Sequence, residues 1–307
     1  MILVLGEALL DVFAGADTAT GLLFDARVGG SPFNVAVGLA RLARPVAFAG
    51  GVSTDRFGER LLQALRAEGV DVSLVQRPVA PTTLSVISAD AAGVPTYAFH
   101  GDQGADRQLC AAPLEHLPAA IRAVHVGSYP LVVEPIASSL RRVVEASRAQ
   151  RLIACDPNVR LNVEPSVLRW RAAVEWMVQR THLLKISAED AGLLYPDVPL
   201  DALARRWLAQ GVALVVATCG GDGALAWTAR AQGSARAQEV TLVDTVGAGD
   251  TFQAALLAWL GENERLQPQA LAALSGEELG SALRFAARAA AITCGRRGAD
   301  LPRRAEL

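Results

Sequence analysis

Apolar and polar residues follow two rhythms along this chain. Short apolar runs recur at residues 1–5, 46–49, 123–126, 152–155, 182–186 and 213–217. Each run has the length of a strand buried on both faces. Stretches of helical period lie between them; residues 57–68, for example, put Leu61, Leu62 and Leu65 on one face. Strand runs that alternate with helices predict a mostly parallel sheet in a layered α/β structure. Such sheets bind ligands beyond the carboxyl ends of their strands, and Asp156, Lys185 and Thr218 fall at that edge.

Two segments depart from this rhythm. Residues 22–28 and 83–100 read as β structure without intervening helices, the second with Ala92-Gly93-Val94-Pro95 as a turn candidate. Alternation over residues 235–243 predicts another strand, and the apolar run 252–260 predicts a buried helix. Gly29-Gly30 leads into a helix with Ser31 as a plausible N-cap and Pro32 in the first helical position. Ser275-x-x-Glu278 is a capping-box start for a last helix reaching about Cys294. No internal repeat, low-complexity tract or linker interrupts the chain.

At 307 residues and 51% hydrophobic composition, the chain can build a large core in one domain, or one plus a small appendage. No apolar stretch has the length of a membrane span. The opening run lacks a basic segment and a cleavage site, so no signal peptide is expected and the cytoplasm is the expected compartment. A net charge of −2 argues against a nucleic-acid surface. Cys110, Cys155, Cys219 and Cys294 form no Cys-x-x-Cys pair and read as reduced thiols. The histidines show no zinc-ligand spacing. Lys185 is the sole lysine in an arginine-rich chain. Either a compact ammonium is needed there, or one lysine survived by chance.

The most informative segment is Asp244-Thr245-Val246-Gly247-Ala248-Gly249-Asp250-Thr251-Phe252. Its glycines sit where a loop becomes a helix and allow close backbone approach to a ligand. Free N–H groups and the positive end of the dipole make such a helix start an anion site. Asp250 would repel a phosphate there. Its presence makes chemical sense if it takes a proton from an alcohol attacking that phosphate. The same residues also read as a tight turn followed by an acid complementing the dipole.

Other segments share this character: Gly6-Glu7-Ala8-Leu9-Leu10-Asp11, Gly29-Gly30 through Asn34, and Gly50-Gly51-Val52 with Asp55 and Gly58. Asp156-Pro157-Asn158-Val159-Arg160, residues 218–223 and Arg297-Gly298-Ala299 follow. In this order and spacing the chain resembles the PfkB (ribokinase-like) family of sugar and nucleoside kinases over nearly its whole length. The resemblance implies a ribokinase-like three-layer α/β domain over residues 1–307. It has a mostly parallel central sheet and a small β-sheet lid from segments near 12–28 and 82–106.

The resemblance also implies roles. Asp250 corresponds to the catalytic base, and the backbone of Gly247, Ala248 and Gly249 to the anion hole. Asp11, Gly30 and Asn34 correspond to sugar contacts. Thr218, Gly220, Gly221 and Gly223 correspond to the nucleotide loop, with Gly249 beside the nucleotide; Lys185, from its own place at a strand end, is a further candidate for cofactor binding. ATP and Mg2+ are the implied cofactors, although Ser187-x-x-Asp190 stands where relatives carry Asn-x-x-Glu. Ala287 stands where relatives often carry Asn or His. A monovalent cation such as K+ would sit among Asp244, Val246, Thr293, Arg296 and Gly298. Family members often pair two lids, which implies a homodimer.

Plainer readings stand beside these. Asp11 could be a solvated strand-end acid, Asn34 a helix-terminus residue, and residues 218–223 a hairpin turn. Arg160 could pair with the carboxylate of an acidic sugar, face phosphate, or be structural. The opening motif, residues 101–106 and the Asp156–Arg160 stretch resemble both fructokinases and 2-keto-3-deoxygluconate kinases. Neutral Leu9 and the lack of another basic residue in Gly6–Asp11 and Gly29–Asn34 favour fructokinase, with ribokinase and nucleoside kinase behind. A non-catalytic sugar or nucleotide sensor is the reading from another class; the retained Asp250 and glycines argue against it. Gly6-Glu7-Ala8 after the first strand does not match the dinucleotide fingerprint of a dehydrogenase.

Overall fold

The computed structural model describes residues 1–89 and 95–307. In chain order, β1 (Ile2–Leu5), β2 (Leu9–Asp17) and β3 (Leu22–Gly29) lead into α1 (Ser31–Arg41), β4 (Val46–Ala49) and α2 (Arg56–Ala67). Next come β5 (Leu84–Ala89), β6 (Pro95–His100), β7 (Ala123–Gly127), α3 (Ile136–Ser147), β8 (Leu152–Asp156) and α4 (Val167–Val178). They are followed by β9 (Leu183–Ser187), α5 (Ala188–Leu194), α6 (Leu200–Ala209), β10 (Leu214–Thr218), β11 (Ala224–Trp227) and β12 (Gln232–Ala235). The chain closes with α7 (Ala248–Glu262), α8 (Pro268–Ala272) and α9 (Gly276–Cys294).

The larger sheet has eight strands in the order β12-β11-β10-β9-β8-β7-β1-β4. The strands from β4 to β10 in this order are parallel, while β11 and β12 return antiparallel at one edge. Successive residues of β1 divide between two cores. Ile2 and Val4 pack with Leu39 of α1, Leu256 of α7 and Leu283 of α9. Leu3 and Leu5 pack with Leu140 of α3, Trp170 of α4 and Trp207 of α6. Helices therefore cover both faces, as the alternation of elements predicts.

The smaller sheet runs β3-β2-β5-β6, so both segments expected to be β without helices join one sheet, with β2 between them. The turn candidate at residues 92–94 lies outside the described residues, and Pro95 opens β6. Local signals set several boundaries. Asp55 caps α2 by accepting from the Gly58 N–H at 2.7 Å, a cap worth about 1 kcal/mol. Ser275 and Glu278 form the capping box of α9.

Two local expectations are corrected. The strand expected over residues 235–243 ends at Ala235, because Val240, Leu242 and Val243 find no strand to pair with and stay exposed. Instead the loop folds back on the end of α9, where the N–H groups of Val243 and Asp244 both donate to the Cys294 carbonyl. Ser31 is not the N-cap of α1. Gly30 holds that position with φ of 105°, and Ser31 is the first helical residue with Pro32 behind it.

Candidate active site

A cavity of about 1320 Å³ opens at the carboxyl ends of the parallel strands, between the larger sheet and one face of the smaller. The start of α7 forms its floor. Gly247 caps that helix in the left-handed region at φ 79°, and a Cβ there would lie 2.6 Å from that of Ala299. The Ala248 N–H donates to the Thr245 carbonyl at 3.2 Å. Among the described residues, the N–H groups of Gly247 and Gly249 donate to no carbonyl. They are the unpaired donors that a helix start leaves for an anion.

Asp250 lies in the first turn of α7 and is buried. Ser31 Oγ donates to its Oδ1 at 2.6 Å and Asn34 Nδ2 to its Oδ2 at 2.8 Å. Both donors come from the first turn of α1, spaced i and i+3 on one face. They reach Asp250 because α1 and α7 pack closely: a Cβ on Gly38 of α1 would stand 2.7 Å from the Ala254 Cβ of α7. Glu7, in the link between β1 and β2, accepts the Ser31 N–H at 3.2 Å. Burial pushes the Glu7 carboxyl up to about 8.

Asp11 lines the same cavity from β2, with Gly30 and Asn34 beside it. Burial raises it to about 6; the Asp250 charge adds to the rise, and the Ser85 hydroxyl opposes it. Asp11 is thus a partly desolvated acid, not the solvated strand-end residue that the sequence also allowed.

Lys185, on β9, donates to Asp156 Oδ2 on β8 at 2.7 Å, and both are buried. The ammonium also faces α7, since a Cβ on Gly249 would lie 3.3 Å from Nζ. Burial raises Asp156 to about 6 although Lys185 pulls the other way. Arg160 lines the cavity and donates to the Val159 carbonyl at 2.9 Å. Ser187 caps α5 through the Asp190 N–H, while Asp190 Oδ2 accepts from the Val159 N–H at 3.2 Å. Asp190 therefore ties α5 to the loop that carries Arg160.

Thr218, Gly220, Gly221 and Gly223 line the far end of the cavity. They also form the turn of the β10–β11 hairpin, so the plainer reading of this segment is correct as geometry. Ala287 and Leu242 face the same end.

The remaining predicted set meets behind α7. Asp244 accepts from the N–H of Val246 at 3.0 Å and of Gly298 at 2.8 Å. The Thr293 carbonyl accepts the Arg296 N–H at 2.9 Å. Among the described residues, no cluster of three or more His, Cys, Asp or Glu could hold a metal ion, and no helix is long and apolar enough to cross a membrane.

Sequence reasoning gave no role to Ser31 beyond capping, and none to Glu7 or Asn158. Asn158 lines the cavity at φ 43°, and its buried Nδ2 has no partner among the described residues. Its place in the Asp156–Arg160 stretch was the available signal.

Unpaired N–H groups at a helix start, a buried carboxylate beside them and a second acid in the same cavity are the parts that a phosphotransferase acting on a hydroxyl requires. The model of the pfkB family carbohydrate kinases matches residues 1–305, and the chain belongs to that family. It is 35% identical over 279 residues to a fructokinase of Rhizobium leguminosarum bv. trifolii, covering 91% of this chain and 85% of that one. Among solved structures it superposes on the fructokinase of Xylella fastidiosa with bound ATP at a TM-score of 0.88. Identity is 26%, covering 99% of this chain and 96% of that one. The fructokinase of Vibrio cholerae O395, in its fructose-, ADP- and calcium-bound form, superposes at 0.79. Identity there is 27%, with 97% and 94% coverage. The fold is accordingly ribokinase-like.

Proposed function

We propose that this chain is an ATP-dependent sugar kinase whose preferred acceptor is D-fructose. The observation that carries the reading is the meeting of Asp250, the free N–H groups of Gly247 and Gly249, and Lys185 at one helix start, with Asp11 across the same cavity. Asp11 accepts hydroxyl hydrogen bonds from the sugar, with Gly30 and Asn34 beside it. The sugar oxygen attacks the γ-phosphorus of ATP as its proton passes to Asp250. The bond from that phosphorus to the β–γ bridging oxygen breaks, and ADP leaves with the electron pair. Backbone N–H groups of the Gly247–Gly249 turn and the Lys185 ammonium neutralise charge on the transferred group. The hairpin turn at Thr218, Gly220, Gly221 and Gly223 holds the nucleotide, with Ala287 leaving room for the base.

Asp190 offers one carboxylate in the cavity. That fits Mg2+, which keeps several waters and binds mainly through phosphates. Its chemistry when bound is to neutralise phosphate charge. A monovalent cation such as K+ suits the carbonyl-rich set of Val246, Thr293, Arg296 and Gly298 with Asp244. It would steady the turn that carries the anion hole.

The smaller sheet acts as a lid over the sugar. Its edge strand β3 exposes Leu22, Leu23 and Phe24. An apolar free edge needs a cover, and a second copy of this chain supplies one in a homodimer.

Arg160 favours a second reading, since a guanidinium in the cavity suits the carboxylate of 2-keto-3-deoxygluconate. Leu9, also in the cavity, suits a neutral sugar. A coupled ADP-release assay over a sugar panel tests the choice. D-Fructose is expected to give the highest kcat/KM. A ten-fold advantage for 2-keto-3-deoxygluconate or ribose would overturn the fructose assignment, and no turnover with any sugar would favour a non-catalytic sensor.

A further inference from the structure

We propose that Ser31 is a positioning residue for phosphoryl transfer: its hydroxyl fixes one oxygen of the Asp250 carboxylate while Asn34 fixes the other. The inference rests on the reading of Asp250 as the base.

A serine at a helix start ordinarily spends its hydroxyl on capping. Here Gly30 takes the cap position without any side-chain bond, and Ser31 sits one residue inside. Its hydroxyl is free for Asp250, whose Oδ1 it reaches at 2.6 Å. Ser31, Asn34 and Asp250 are each less than a tenth exposed, so water competes little for these bonds. Ser31 is itself held from behind, because its N–H donates to Glu7 Oε1 at 3.2 Å. A line of contacts thus runs from the β1–β2 link through α1 to the base on α7.

The geometry suits a base. Each carboxylate oxygen can accept two hydrogen bonds. Ser31 and Asn34 take one on each oxygen, which leaves a free acceptor site on each for the sugar hydroxyl. Two donors on one rigid helix face stop the carboxylate from turning about its own axis. A positioned base depends on that restraint.

Other charged groups surround Asp250. Asp11 approaches from β2 and Asp156 from β8, and the negative charge of Asp250 raises both. Lys185 on β9 is the cation facing the same helix start. Ser31 is a neutral donor in this setting, so it fixes the direction of the Asp250 carboxylate without adding to those charges.

The test is the Ser31→Ala variant of the full chain, with kcat and the KM values for fructose and ATP measured at neutral pH. It should keep the wild-type Tm to within a few degrees and both KM values to within about two-fold. Its kcat should fall roughly ten-fold, the scale of one hydrogen bond to a charged group. Ser31→Thr keeps the hydroxyl and should restore most of that loss. A kcat matching wild type would overturn the proposal, as would a fall in kcat that Ser31→Thr leaves unrescued. Asp250→Asn separates this inference from the reading beneath it. If that variant turns over normally, the base assignment fails and Ser31 falls with it. If it is inactive while Ser31→Ala behaves as wild type, the positioning role alone fails.

Discussion

Lys185 and Asp156 face one another across adjacent parallel strands at 2.7 Å, with side-chain exposures of 4% and 3%. At such burial the pair is screened little by salt, and removing one member strands the other's charge. Lys185→Met should therefore cost about 3–5 kcal/mol of stability, seen as a lower Tm, and should also slow turnover. Replacing both, as Asp156→Leu with Lys185→Met, should recover most of the stability and none of the turnover. A double variant with wild-type kcat would remove Lys185 from phosphate handling.

Asp250→Asn keeps the shape of the side chain and removes its capacity to take a proton. Turnover should drop by at least ~10²-fold while the KM for ATP stays near its wild-type value. Steady-state kinetics on the folded variant decides this, since near-normal turnover removes Asp250 from the mechanism.

Asp11→Ala should raise the sugar KM roughly ten-fold or more and leave the ATP KM nearly unchanged. Because burial places Asp11 at about 6, it is an ionised acceptor above that pH and a neutral acid below it. The wild-type sugar KM should therefore rise as pH falls from 7 towards 5, and the Asp11→Ala variant should lack that rise. A KM that is flat with pH in both proteins would contradict the assigned contact.

Burial holds Glu7 at about 8 against an ordinary 4.5. Between those values the folded chain keeps a proton that the unfolded chain has released. The associated stability is present in full below about 4.5 and is lost as pH rises through 8. Glu7→Gln keeps an acceptor for the Ser31 N–H and has no charge to bury. Thermal unfolding should show the variant gaining on wild type as pH rises from 6 to 9, by on the order of 1–3 kcal/mol at the upper end. A difference that does not change with pH would refute this titration.

Light scattering should give twice the protomer mass of 32.2 kDa, and Leu23→Asp on the exposed β3 edge should shift the protein towards the protomer. A wild-type protein of single-protomer mass at every working concentration rejects the dimer.

Much of this architecture is legible in the sequence because its signals are local. Buried parallel strands leave continuous apolar runs, and helices between them leave a one-sided stripe such as Leu61, Leu62 and Leu65. Gly247 is legible because its left-handed backbone and the close approach of Ala299 suit glycine alone. Residues 235–243 mislead because their alternation is real but faces a ligand cavity and solvent, where no partner strand lies. The contact of Ser31 with Asp250 leaves no local trace. It joins residues 219 positions apart, and a serine beside a helix start reads first as a cap. The elevated Glu7 is equally silent, since burial comes from what packs around a side chain and not from its neighbours in the chain.

β1 and β2 are joined only by Gly6, Glu7 and Ala8, yet they belong to different sheets. Asp11 therefore stands on the smaller sheet, and Asp250 on a helix packed against the larger one. In the proposed kinase a sugar can bridge the gap, because its several hydroxyls let it hold Asp11 with one group while presenting another to Asp250. A water molecule is too small to hold both. On the proposed reading, the division of the two acids between sheets would disfavour idle ATP hydrolysis, since only the sugar would supply the span between them.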